Sequence, residues 1–216
     1  MRNLFNFTNT LMKKLRFKGS EDFWKTHYKT GGDSGSGSVG KLLSYKADVI
    51  NRIIDNCNVD TVTDFGCGDC KLARLIKAKR YIGLDISEDA LNTCMKLFRQ
   101  NYTREFYLYS SKNPKTEMSM SIDVIYHLVE DYVFKPYMKN LFKASKVVLI
   151  YSSDFNKYDI KKCPWVRQRK ITEYIKDNFK EWKLIKVIKN KYPKESYSNF
   201  YIYVRRHSKW QESSTK

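Results

Sequence analysis

The chain has 216 residues, 42% hydrophobic and 15% aromatic, enough apolar surface to bury a core, and a length that favours one domain. No run of eighteen apolar residues offers a membrane span, and residues 1–18 lack the apolar stretch and cleavage site of a secretory signal, so a cytoplasmic protein is expected. Forty-one Lys and Arg against twenty-three Asp and Glu leave a charge of +18, a field that attracts polyanions, although the charges are spread over helix and strand surfaces and not gathered in one block.

In chain order, Leu4, Phe5, Phe7, Leu11, Met12, Leu15 and Phe17 recur at near-helical spacing and predict an amphipathic helix over 3–17 that packs against the domain. Residues 31–38 are rich in Gly and Ser. Trp24, His27 and Tyr28 precede them, and an amphipathic helix carrying Leu42, Tyr45, Val49, Ile50, Ile53 and Ile54 follows. A loop so placed closes over a ligand as readily as it joins domains. Residues 1–40 therefore read as a helical segment with a covering loop, 41–207 as the main domain and 208–216 as a disordered tail.

Short apolar runs at 61–65, 81–86, 105–109, 122–126 and 147–151 read as strands, with helices at 71–77, 88–98 and 132–142 between them. After a helix at 170–178, strands at 182–189 and 199–205 follow each other directly and so pair antiparallel. The expected fold is α/β and Rossmann-like: a seven-stranded, mostly parallel sheet with helices on both faces and an antiparallel C-terminal strand pair.

The first strand ends in Asp64-Phe65-Gly66-Cys67-Gly68-Asp69 and is expected to open a helix, with backbone amides left available to a ligand. Asp85 ends the second strand, twenty-one residues after Asp64, where a carboxylate meets ribose hydroxyls, with Ile86 beside it. A dinucleotide site would carry G-x-G-x-x-G, which Lys71 breaks, and would avoid the negative charge of Asp64. That acid suits S-adenosylmethionine, whose ammonium and sulfonium are positive. The five cysteines (Cys57, Cys67, Cys70, Cys94, Cys163) are odd in number and sparse. They fit a reducing compartment better than a disulfide framework, and Cys67-x-x-Cys70 has no second pair or His cluster to complete a metal site.

Tyr126 to Asp131 follow the fourth strand and should border a transferred methyl group. No amide-recognising Asn-Pro-Pro-Tyr is present, which points to an oxygen acceptor. An alcohol must lose its proton, and His127 is the preferred base, with Glu130 or Asp131 as alternative base or orienting partner. A His bonded to backbone at a strand end is the structural alternative. Asp154 with Glu130 or Asp131 could hold a divalent ion, but no residue is assigned to a metal. Arg167 and Arg169 could grip a phosphate or carboxylate, or simply start a solvated helix.

Over residues 23–205 the chain resembles the small class I S-adenosylmethionine-dependent methyltransferases that accompany glycosyltransferases and sugar-modifying enzymes. The resemblance rests on Trp24, Tyr28 and the loop to Ser38, on Lys46-Ala47, Asp64 to Asp69, Tyr81 to Ser87 and Asp123 to Asp131, then on Val148 to Ser153, Val166 to Arg169 and Phe200 to Tyr203. Tyr109-Ser110 stands where similar proteins tend to have Tyr-Asp, and Trp165 where a His is common.

The resemblance implies O-methylation of a sugar in a glycan, glycan precursor or nucleotide-sugar, with a glycosyltransferase as possible partner. It implies cofactor contacts from Trp24, Ser38, Asp64, Gly66, Cys67, Gly68, Asp85, Ile86 and Tyr126, and substrate contacts from Tyr28, Tyr151, Arg167 and Arg169. The alternatives are an RNA methyltransferase, which the charge favours although no RNA-binding module is recognisable, and a non-catalytic protein that binds S-adenosylmethionine.

Overall fold

The computed structural model describes residues 17–110 and 112–206. The helix expected over 3–17, all but Phe17, and the tail at 208–216 lie outside the described residues.

A seven-stranded sheet runs in the order β3-β2-β1-β4-β5-β9-β8. It is built from β1 (Thr61–Phe65), β2 (Arg80–Asp85), β3 (Arg104–Leu108), β4 (Met118–Ile122), β5 (Val147–Ser152), β8 (Trp182–Ile188) and β9 (Asn199–Arg205). The first five are parallel, β9 lies antiparallel on β5, and β8 antiparallel on β9. This is the expected fold class. A short ribbon of β6 (Lys157–Tyr158) and β7 (Arg167–Gln168), which the sequence pattern did not announce, stands apart from the sheet.

The helices are α1 (Ser20–Lys29), α2 (Gly40–Asn56), α3 (Glu88–Leu97), α4 (Asp131–Lys143) and α5 (Ile171–Asn178). Ile50, Ile53 and Ile54 of α2 and Leu91 of α3 pack with Val62, Met118 and Met120 on one face of the sheet. Phe134, Met138 and Leu141 of α4 and Ile171 and Ile175 of α5 pack with Ile82, Leu84, Val148 and Ile150 on the other. Covered on both sides, a strand such as β5 can be a continuous apolar run and be buried at every position.

Two expected elements are corrected. The fourth strand is Met118–Ile122, four residues earlier than the 122–126 reading, and Ile125–His127 form a turn of 3-10 helix. Ser119 and Ser121 are fully buried in this strand. Burial is tolerable because Ser119 donates to the Leu141 carbonyl at 2.8 Å and Ser121 meets the Tyr137 hydroxyl at 2.6 Å.

The helix expected at 71–77 is a series of turns. Side chains supply the bonds a helix would have made: Asn51 donates to Leu75 O and accepts from Lys77 N, and Arg104 donates to Ile76 O and Ala78 O. Asn51→Ala leaves a buried donor and acceptor of this segment unpaired, and denaturant unfolding should show a loss of about 1–3 kcal/mol.

Candidate functional site

Strand order reverses between β1 and β4, and at their C-terminal ends lies a cavity of about 450 Å³, within the range of small-molecule sites at such switch points. Its floor is the glycine loop. Gly66 (φ +87°) and Gly68 (φ +56°) take left-handed backbone. A Cβ on Gly66 would lie 2.5 Å from Val124 Cγ2, and one on Gly68 would meet Ser34 Oγ and the Tyr28 hydroxyl.

The loop spends its own amides. Gly66 N and Cys67 N both donate to Leu84 O at 2.7 and 3.0 Å, and Cys70 N donates to Cys67 O. Gly68 N donates to Asp85 Oδ2 at 2.9 Å, and Asp69 N to Ser34 Oγ at 3.2 Å. The expectation of free amides at a helix start is therefore corrected: no helix follows, and every N–H from Gly66 to Cys70 is used. What borders the cavity instead is mostly carboxylate: Glu21, Asp64, Asp69, Asp85 and Asp123, against Lys46 and Lys71.

Asp64 is 2% exposed. Its Oδ2 accepts from the Tyr81 hydroxyl at 2.6 Å while Oδ1 has no hydrogen-bond partner among the described residues. Burial pushes its carboxyl up to about 7, against the opposing effect of the Tyr81 bond. Burial likewise raises Asp85, whose oxygens accept from Gly68 N and Ser87 N.

The cover comes from α1 and the loop after it. Ser20 donates through N and Oγ to Glu130 at 3.0 and 2.6 Å and accepts from Val129 N. Gly19 (φ +135°) enters this clasp where a Cβ would sit 3.1 Å from Glu130 Oε1. Further on, Ser34 donates to Asp69 at 2.7 Å, Lys71 bridges Asp33 and Asp69, and the turn Ser36–Ser38 brings Gly37 against Asp123.

At the far end Lys46, 2% exposed, meets Asp123 Oδ2 at 2.5 Å, and the Tyr126 hydroxyl donates to Asp123 Oδ1 at 2.8 Å. Asp123 has φ +61°, a left-handed conformation uncommon outside glycine and held here by both partners. Beside it His127 donates through Nδ1 to the Trp165 carbonyl at 3.0 Å, which leaves Nε2 with its lone pair, and Trp24 meets the ring edge-on at 4.7 Å.

Trp24, Tyr28, Ser38, Asp64, Gly66, Cys67, Asp85, Ile86, Tyr126 and His127 thus share one cavity, and Gly68 supports it from below. Other residues singled out in the sequence are engaged elsewhere. Glu130 holds α1. Asp131 accepts from Arg167 and Arg169 at 3.0 Å, and Arg169, 8% exposed, also donates to Leu128 O and Val129 O. These arginines stitch the loop after β4 and leave little of themselves for a ligand. Tyr151 is buried in the core beneath Lys46, with Nζ 5.6 Å from its ring centre. Asp154 accepts from Thr172 N and Oγ1 at the start of α5.

The reading of the cysteines is also corrected. Cys70 and Cys94 form a disulfide from the glycine loop to α3, with the Cys67 sulfur within 4.8 Å of both. Their separation of 24 residues carries no pairing signal in the sequence.

Lys46 and Asp123 carry part of the resemblance, but sequence reasoning gave neither a role. For Lys46 a signal existed: it lies four residues after Leu42 and three before Val49, on the apolar stripe of its helix.

Burial pushes His127 down from 6.5 to about 4, outweighing the Trp165 bond. Between those values the unfolded chain binds a proton that the folded one refuses, so stability is retained above pH 6.5 and falls as pH drops toward 4. Histidine NMR should show His127 neutral at pH 5.5, with Nδ1 carrying the proton.

No protein-family model matches the chain. It is 30% identical over 105 residues to the ribosomal protein L11 methyltransferase of Aquifex aeolicus strain VF5, a match covering 47% of this chain and 42% of that protein, so the chain spans less than half of the curated relative it matches. In fold it is similar to the N-methyltransferase NodS from Bradyrhizobium japonicum WM9, solved with S-adenosylhomocysteine (TM-score 0.66, 10% identity, 88% of this chain and 100% of that one). It is also similar to magnesium protoporphyrin IX methyltransferase from Synechocystis PCC 6803, solved with S-adenosylmethionine (TM-score 0.62, 15% identity, 88% and 99%). The chain has the fold of the class I S-adenosylmethionine-dependent methyltransferases.

Proposed function

We propose that the cavity binds S-adenosylmethionine and that the protein transfers its methyl group to a hydroxyl of a sugar in a glycan or glycan precursor. The observation that carries the cofactor reading is the wiring of the glycine loop. With its amides consumed and five acidic residues (Glu21, Asp64, Asp69, Asp85 and Asp123) lining the cavity against two lysines (Lys46 and Lys71), the site repels a pyrophosphate and attracts a cation.

The residues present suit the group. Asp64 Oδ1, buried without a hydrogen-bond partner among the described residues, matches a ligand ammonium. Each Asp85 oxygen accepts one of the two amide bonds named above, and a carboxylate has acceptor capacity beyond that for a ribose diol. Lys46 supplies a cation for the methionine carboxylate, and Ile86 and Tyr109 give apolar wall for the base.

S-adenosylmethionine supplies a methyl group on a cationic sulfur, open to in-line displacement by an oxygen. The acceptor hydroxyl must be held and deprotonated. His127 Nε2, neutral and with its tautomer set by the Trp165 carbonyl, holds the hydroxyl by accepting its hydrogen bond; burial makes it too weak a base for the free alcohol, so it takes the proton as the C–O bond forms and the oxygen becomes strongly acidic. Trp24 offers an aromatic surface beside it for the apolar face of a sugar ring. An RNA acceptor is the second reading, favoured by the +18 charge. Radiolabelled methyl incorporation into oligosaccharide against RNA separates the two.

Calorimetry with S-adenosylhomocysteine in buffers of different ionisation enthalpy tests the cofactor reading. A cation beside Asp64 returns its carboxyl toward the usual carboxylate range, so binding at pH 7 should release about half a proton, from a group raised to about 7. Asp64→Asn should abolish that release. Absence of binding by the folded chain sinks the proposal.

A further inference from the structure

We propose that the end of the sheet remote from the cavity is a docking surface for the phosphate backbone of a nucleic-acid strand. This goes beyond the transferase reading and does not depend on it. The cavity opens at the C-terminal ends of β1, β2 and β4; two further hollows, of about 490 and 560 Å³, sit where β4 and β5 begin and where β9 ends beside the start of β8.

The first hollow is lined by Lys115, Lys143, Lys146 and Arg205, with Glu117 as the acid among them. Glu117 is already bonded to Asp60 N, Thr61 N and Thr61 Oγ1. The second is lined by Lys176, Lys180, Lys183 and Arg206, with Glu173 as the acid. Lys180 faces Asp177 at 3.9 Å, an exposed pair that water screens. The two hollows meet on consecutive arginines, for Arg205 N donates to Lys146 O and Arg206 N to Glu181 O.

Eight exposed cations thus follow the ends of four adjacent strands. At about 4.8 Å per strand spacing, the band is about 14 Å long, the axial length of roughly four phosphates at about 3.4 Å each.

The chemistry of the lining selects the partner. The aromatic residues bordering the second hollow, Trp182 and Tyr203, are buried, so no ring is offered for base stacking. Among the lining side chains Leu184, 37% exposed, is the one large apolar group open to solvent, too little to enter a lipid layer. Concave basic surface without stacking platforms recognises protruding phosphates, independent of sequence.

The test is fluorescence anisotropy of the full chain with a labelled uridylate 20-mer across a salt series. Four phosphate contacts on a single strand predict a slope of log K against log salt near −3, about −0.7 per contact. Lys143→Glu with Lys183→Glu should weaken binding at least tenfold at about 100 mM salt and flatten the slope by about 1.4. Lys143→Gln with Lys183→Gln should act in the same direction with little effect on thermal stability. Lys29→Glu with Lys96→Glu, which changes net charge equally on exposed helical positions elsewhere, should change affinity less than twofold.

Equal weakening by the two charge-reversed pairs, or a slope near zero, overturns the proposal. So does preferential binding of phosphatidylserine vesicles over the 20-mer.

Discussion

Everything at the site depends on one carbonyl, that of Leu84 on β2, which accepts from both Gly66 N and Cys67 N. Those bonds curl the chain leaving β1 back over its neighbour, which requires left-handed backbone at Gly66 and Gly68. The curl places Gly68 N on Asp85 and uses up the amides that would otherwise form an anion nest. The same glycine turn that elsewhere receives phosphate here becomes a rim of carboxylates around a cavity.

The rest of the site answers that charge. Lys46 is the buried cation set against it, paired to Asp123 in a strained conformation that Tyr126 helps to hold. His127 stays neutral because burial excludes its proton and the Trp165 carbonyl fixes which nitrogen is bare. Glu130, Asp131, Arg167 and Arg169 act one step back: they hold α1 and the loop after β4 where the cavity needs them. The methyl transfer we propose asks for this division, with rigid positioning outside and a few unsatisfied groups inside.

Much of this was legible from residue order. Alternation of apolar runs and helical stretches named the sheet, and the spacing of Asp64, Gly66, Gly68 and Asp85 drew attention to the turn that borders the cavity. What failed depended on partners far away in sequence. Ser119 and Ser121 fell outside the expected fourth strand, because the partners that let them be buried come from α4. Residues 71–77 looked helical until Asn51 and Arg104 claimed their backbone groups. Arg167 and Arg169 were open to two readings, an anion grip or a solvated helix start, and nothing local showed that both would bond to the loop after β4.

A glycine loop with no free amides and a rim of carboxylates should select a cationic ligand over a pyrophosphate. Calorimetric titration of the full chain with S-adenosylhomocysteine and with NAD, under one set of conditions, tests it most directly. Saturable one-site binding of S-adenosylhomocysteine, competed by S-adenosylmethionine, is expected, with no detectable heat from NAD. Binding of NAD as tight as that of S-adenosylhomocysteine would contradict it.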